Sequence, residues 1–125
     1  MSNTSHKDAA IGFLTLVAQG KVQQAFDQHI APGFRHHNPH FRGDAAALKE
    51  AMLENARENP DKVLAVQRAL QDGDQVAVLS HIRQRSDEVG FAVVHICRFE
   101  GDRIVEMWDV GQAVPAQSAN ENGMF

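Results

Sequence analysis

Apolar residues early in the chain recur at helical spacing. Ile11, Leu14 and Val17, with Phe13 and Leu16 beside them, form one stripe. Ser5 followed by Asp8 has the form of a capping box, so the pattern predicts a helix that starts after Ser5 and stops at Gly20. A shorter amphipathic piece, Val22, Ala25, Phe26 and Ile30, runs into Ala31-Pro32-Gly33, which must break it. The stretch "FRHHNPHFRG" has no period and reads as irregular or briefly extended around Pro39. Asp44 then caps a third predicted helix, with Leu48, Ala51, Met52 and Ala56 on its buried side and its end at Asn59-Pro60.

Beyond Pro60 the pattern changes to that of strands. "DKVLAVQRALQDGDQVAVLSHIRQR" predicts a hairpin around Asp72-Gly73, with Gln71 facing Asp74, Arg68 opposite Ala77, Val66 opposite Leu79 and Leu64 opposite His81. "GFAVVHICRFE" and "DRIVEMWDV" predict a second hairpin. A two-residue turn at Gly101-Asp102 would pair polar with apolar residues throughout. One extra turn residue, or a bulge with Gly101 at positive φ, sorts the faces instead: Glu100 opposite Ile104, Phe99 opposite Val105, Cys97 opposite Met107, His95 opposite Asp109, and Arg98 paired with Glu106 on the other side. Helices first and an antiparallel sheet second is an α+β arrangement, in which a curved sheet wraps its concave face over the helices. The segment 111–125 is rich in Gly, Pro, Ser and Asn and predicts an extended tail whose Met124-Phe125 end could dock.

The chain has 125 residues, enough for a single domain over 1–125 with a core and an internal pocket. With 43% hydrophobic residues, 22% charged residues and a net charge of −4, it has an ordinary soluble composition. Neither a membrane span nor a secretory leader is legible, and the single Cys97 precludes an internal disulfide, so the expected location is cytoplasmic. Acidic balance without a basic run argues against nucleic acid or an anionic membrane as partner. A small apolar molecule or another protein is left.

Asp109 closes the apolar strand "IVEMWDV" and shares a predicted face with His95, Cys97, Met107 and Phe99. Burial in such a wall raises a carboxylate's pKa, and a hydrogen bond from a nearby His holds it ionised; a carboxylate so tuned is suited to removing a proton next to a carbonyl. A strand-end Asp also commonly caps a turn or pairs with an Arg. His95 in "VVHIC" is costly inside an apolar strand unless partnered, and opposite Asp109 it becomes half of an acid/base pair. His81 lies near a strand end where water could satisfy it. His36, His37 and His40 in "RHHNPH" have poor spacing for a metal because Pro39 prevents a helix, so no metal is expected. His37 and Asn38 are instead expected at the pocket mouth, as hydrogen-bonding partners of a ligand, although a turn before proline would look the same.

The segments "FRHHNPHFRGD", "DGDQVAVLSHIR", "VVHICRFEGDRIVEMWDVGQ" and "NENGMF" together resemble the small SnoaL-like proteins. These are relatives of polyketide cyclases within the nuclear transport factor 2-like superfamily, which also holds ketosteroid isomerases and scytalone dehydratase. The resemblance implies a cone of curved antiparallel sheet closed by about three N-terminal helices, usually a homodimer. It implies cofactor-independent acid/base chemistry, with Asp109 matching the general acid/base of an intramolecular aldol closure, His95 matching the pocket His, and His37 matching a loop residue near the pocket. The expectation is therefore a cyclase-, isomerase- or dehydratase-type enzyme acting on an apolar carbonyl compound, with Asp109 and His95 catalytic and His37, Asn38, His81, Trp108, Met107 and Phe99 binding substrate. A non-catalytic ligand-binding or dimerisation module of the same fold is the alternative.

Overall fold

The computed structural model describes residues 5–125. The elements run α1 (His6–Ala18), α2 (Val22–His29), β1 (Ile30–His36), α3 (Ala45–Glu58), β2 (Val63–Asp72), β3 (Gln75–Arg83), β4 (Phe91–Glu100) and β5 (Arg103–Ala113). The helix ends follow their sequence signals. The Ser5 side chain accepts from the Asp8 N–H at the start of α1. At its far end Lys21 N–H bonds Leu16 C=O and Gly20 N–H bonds Val17 C=O, with Gly20 at φ +81°, a Schellman close that needs a residue at ease in the left-handed region. Asp44 caps α3 by accepting from Ala47 N–H at 2.9 Å.

The strands form one five-stranded sheet in the order β1-β5-β4-β3-β2. One strand was not legible. Ile30–His36, read as a helix end followed by irregular chain, is β1, and it lies parallel to β5, so the sheet is mixed. Pro32 lacks an N–H and is tolerated because β1 is an edge strand with a register shift between Ile30 and Arg35.

Both hairpins turn on Gly-Asp. Asp72 pairs with Gln75 and Glu100 with Arg103, and Gly73 and Gly101 each have φ +61°, the positive-φ first position of a type II′ turn. The first turn is therefore Gly73-Asp74 and not Asp72-Gly73, since only the glycine adopts positive φ. Gln71 consequently faces Val76, Ala77 faces Leu70 and Leu79 faces Arg68. A bulge between Val66 and Arg68 then sets Val66 opposite Ser80, Leu64 opposite Ile82, and His81 opposite Ala65. The second hairpin, against expectation, does turn on the two residues Gly101-Asp102, and the extra residue lies in a bulge at Val105 and not in the turn. Glu100 pairs with Arg103 and not Ile104, and Phe99 with Ile104 and not Val105, whereas Arg98–Glu106, Cys97–Met107 and His95–Asp109 pair as the sequence predicts.

Period-two alternation gives the sheet an inner and an outer face. Inner-face Val76, Val78, Cys97, Phe99, Ile104 and Met107 are buried in one cluster with Phe13 and Leu14 of α1, Phe26 of α2 and Leu48 of α3. The apolar stripe of α3 is buried only at Leu48, while Met52 and Ala51 are half-buried, because part of that stripe borders a cavity. Strand β5 extends to Ala113, so the tail proper starts at Val114. Its end does dock: the Phe125 ring stacks on His81 with centroids 4.6 Å apart.

Candidate active site

The cavity, of about 260 Å³, lies between the inner face of the sheet, α1, α3 and the loop after β1. Its walls are mainly apolar, with Leu14 and Val17 from α1, Leu48 and Met52 from α3, and Leu64 and Ile82 from the sheet. The polar groups reaching it are Asn38, Asn55, Lys62, His95 and Asp109. An apolar cleft with few convergent polar groups is the usual form of a small-molecule site.

His95 and Asp109 are direct cross-strand partners on β4 and β5, so their Cβ atoms lie about 5 Å apart. They make no hydrogen bond or ion pair to each other. The Asp109 carboxylate instead accepts from Asn38 Nδ2 at 3.1 Å. His95 is 7% exposed, and its buried Nδ1 has no partner among the described residues. Burial lowers its pKa, with the Asp109 charge acting in the opposite direction. The imidazole is therefore neutral near pH 7 and can donate one N–H without carrying charge.

Asn38 is fixed by the loop that carries it. Its Oδ1 accepts from His40 N–H at 2.9 Å, which turns Nδ2 toward Asp109. Its backbone N–H donates to His36 Nδ1 at 3.1 Å, and His36 Nε2–H donates to Arg42 C=O at 2.6 Å. Buried His36 thus acts as a bracket for the loop and fixes its own tautomer in doing so.

Other residues expected at the pocket lie elsewhere. Phe99 and Met107 share the inner face but sit deeper, 2% and 3% exposed within the core. Trp108 alternates to the outer face, where it borders a shallow depression with Val94, Ile96 and Val110. His81 is also on the outer face, bonded to Val89 C=O at 2.7 Å, because β3 directs odd-numbered residues outward. His37 leaves the loop on that side as well. It stacks on Trp108 at 4.9 Å and donates from Nε2 to Glu106 Oε2 at 2.6 Å. The His36, His37 and His40 side chains do not converge, and among the described residues no group of three His, Cys, Asp or Glu is placed to hold a metal ion.

Glu106 is the centre of the outer cluster. Its carboxylate accepts from Arg35 Nε and Nη2 (2.9 and 3.2 Å), from Arg98 Nε and Nη2 (3.2 and 3.0 Å) and from His37. Hydrogen bonds from Arg35, then His37, then Arg98, outweigh desolvation and hold its pKa at about 2. The sequence foresaw Arg98 as its partner. Arg35 and His37 join because β1 runs beside β5, pairing Arg35 with Glu106.

Lys62, just before β2, has no sequence signal, since a single lysine after Pro60-Asp61 carries no pattern. It lines the cavity, its Nζ donates to Asn55 Oδ1, and burial lowers its pKa. Among the described residues, no helix is long and apolar enough to cross a membrane.

Comparison with known proteins places this architecture. AclR from Streptomyces galilaeus, proposed to be a hydroxylase, superposes with a TM-score of 0.73 at 19% identity, covering 86% of this chain and 88% of that one. A proposed polyketide cyclase from Acidithiobacillus ferrooxidans gives 0.69 at 22% identity, covering 89% and 91%. IdmH, a proposed polyketide cyclase from Streptomyces antibioticus, gives 0.71 at 20%, covering 86% and 92%. These likenesses are of fold. No curated protein sequence matches the chain. The family model described as a SnoaL-like domain matches residues 10–107, and the chain, three helices on a curved mixed sheet, belongs to the SnoaL-like family within the nuclear transport factor 2-like fold.

Proposed function

We propose that this protein is an acid/base enzyme that enolises an apolar carbonyl compound without a cofactor, the opening step shared by cyclisation of aldol type, isomerisation and dehydration. The observation that carries this is the state of Asp109: a carboxylate at the wall of a mainly apolar cavity, held by one neutral amide, opposite a buried neutral imidazole. Asp109 removes the proton α to the carbonyl. His95 donates an N–H to the oxygen that becomes negative, and a neutral imidazole suits this because it gains no full charge in the dry wall. Asn38 fixes the direction of the carboxylate. Structural neighbours proposed to be polyketide cyclases agree with that chemistry, and with a ring-forming substrate.

The test is deuterium uptake at the α-carbon of apolar ketones and 1,3-dicarbonyls, since exchange needs only enolisation. Uptake by wild type that is lost in Asp109→Asn supports the reading. A panel that binds measurably but never exchanges overturns it and leaves a ligand-binding module.

The protein works as a homodimer in this proposal, joined through the outer face of the sheet. That face carries Trp108, Val94 and Ile96, together with Leu70 and Val110, which are 66% and 68% exposed. The Glu106 cluster and Arg68 edge it with charge, the apolar centre and polar rim of an interface between copies. Light scattering should give twice the chain mass, falling to one in Val110→Lys. A monomeric wild type would exclude the dimer without touching the cavity chemistry.

A further inference from the structure

We infer that the cavity takes an organic acid: a compound with its reacting carbonyl at one end and a carboxylate at the other, the carboxylate held by Lys62 and Asn55. This rests on the cavity being the ligand site proposed above. Lys62 and Asn55 line the same space as Asp109 and His95. No carboxylate among the described residues lies within ion-pair distance of Lys62, whose Nζ donates to the neutral Asn55 Oδ1. A partly desolvated ammonium without a counter-charge is costly, and a flexible four-carbon stem could carry it out to water. Here it stays in the cavity wall, and burial lowers its pKa.

The donors left over match an anion. An ammonium has three N–H groups, and Asn55 takes one of them. Asn55 Nδ2 has no acceptor among the described residues, so the pair offers donors from two side chains to one carboxylate. Lys62 Nζ and Asn55 Oδ1 hold each other in register for this.

The sheet sets the two poles apart. Asp109 is on β5, and Lys62 immediately precedes β2, three strands away in the order of the sheet. Apolar Leu64, Ile82 and Met52 line the space between them. An acid entering the wrong way round would set its carboxylate against Asp109 and be repelled, whereas the right way round delivers its carbonyl to Asp109 and His95. The charge pattern therefore fixes orientation as well as class.

The experiment is calorimetric titration with the series from phenylacetate to phenylhexanoate and the corresponding carboxamides, on wild type, Lys62→Met, Lys62→Arg and Asp109→Asn. None of these probes carries a ketone, so the result is independent of enolisation. Wild type should bind at least one acid about 10- to 100-fold more tightly than its amide. Asp109→Asn should keep that preference, Lys62→Met should lose it, and Lys62→Arg should retain part of it. Equal binding of acid and amide by wild type, failure of every acid to bind, or a preference that survives Lys62→Met would overturn the inference. The wild-type comparison needs no variant to fold. If acids bind through Lys62 while the ketone panel never exchanges, the acid site stands and the enolisation reading falls.

Discussion

Two carboxylates three residues apart on β5, Glu106 and Asp109, are sent to opposite faces of the sheet and treated in opposite ways. Glu106 accepts five hydrogen bonds from Arg35, Arg98 and His37, and its side chain is 7% exposed. Among the described residues Asp109 accepts one hydrogen bond, from a neutral amide, and it borders a cavity. A carboxylate whose lone pairs are taken up by two arginines and a histidine N–H has none left to accept a substrate's proton, and its work is to tie β1, β4 and β5 together. A carboxylate with spare lone pairs facing an apolar space has that capacity. The two acidic residues of this strand thus divide into a fastener and a candidate base.

The sharpest way to break this comparison is to neutralise each carboxylate in turn. Asp109→Asn should lower deuterium uptake about 10²- to 10⁴-fold, the usual size of a general-base contribution, with little change in melting temperature. Glu106→Gln should do the reverse: it loses the charge that Arg35 and Arg98 share, lowering the melting temperature by several degrees while uptake per folded molecule persists. Loss of uptake in Glu106→Gln at unchanged stability would exchange the two assignments.

Asn38 carries a smaller effect. Asn38→Ala removes the amide hydrogen bond that aims Asp109 and should slow uptake about tenfold, the worth of one hydrogen bond to a charged group. A purely structural role for Asn38 would give the same slowing, so the pH profile decides. Asn38→Asp sets a second carboxylate beside Asp109, and like charges raise one of the two pKa values, so the rising limb of uptake should move to higher pH. A profile unmoved by Asn38→Asp would remove Asn38 from the positioning role.

The sequence made this division only half legible, for physical reasons. Arg98–Glu106 and His95–Asp109 followed from period-two alternation, because only one register of "VVHICRFE" on "IVEMWDV" sorts polar from apolar. Caps at Ser5 and Asp44 marked their helices for an equally local reason. What stayed hidden depended on distant chain. Arg35 and His37 reach Glu106 across 71 and 69 residues, through a parallel edge strand that Pro32 and Gly33 disguise. The bulge beside Val66 inserts one residue and removes His81 from the face of Leu64, and no turn signal announces it. Alternation also says which residues share a face but not where along it the cavity ends, which is why Phe99 and Met107 looked like pocket residues and proved to be core. Gly90 was equally silent: at φ +74°, with a Cβ there placed 2.3 Å from Ile82 C=O, it admits no side chain.

Acid should read the two faces in separate windows. The folded pKa of Glu106 lies near 2, below its ordinary 4.5, so its stabilisation is complete above pH 4.5 and is lost as pH falls toward 2. The melting-temperature gap between wild type and Glu106→Gln should therefore be widest at neutral pH and close over that range. His95, lowered from 6.5 by burial, favours the folded state above pH 6.5, and that contribution drains away as pH falls below 6.5 toward its lowered value. His95→Gln should melt with less pH dependence than wild type just below pH 6.5. A gap for Glu106→Gln that persists unchanged to pH 2 would mean its ion pairs do not stabilise the fold.

The smallest expected effect is none at all, at Cys97, two residues from His95 on the same inner face. Cys97 is fully buried, does not border the cavity, and burial pushes its thiol up to about 12. The thiolate is the reactive form, so iodoacetamide at pH 8 should label the native protein no faster than it unfolds, and denaturant should release one labelled site. Labelling that outpaces unfolding, and that a bound phenylalkanoate slows, would mean the cavity opens past His95 as far as Cys97. The boundary between reactive wall and inert core would then lie one inward-facing position deeper along β4, and Met107, its partner on β5, would return to the list of substrate contacts.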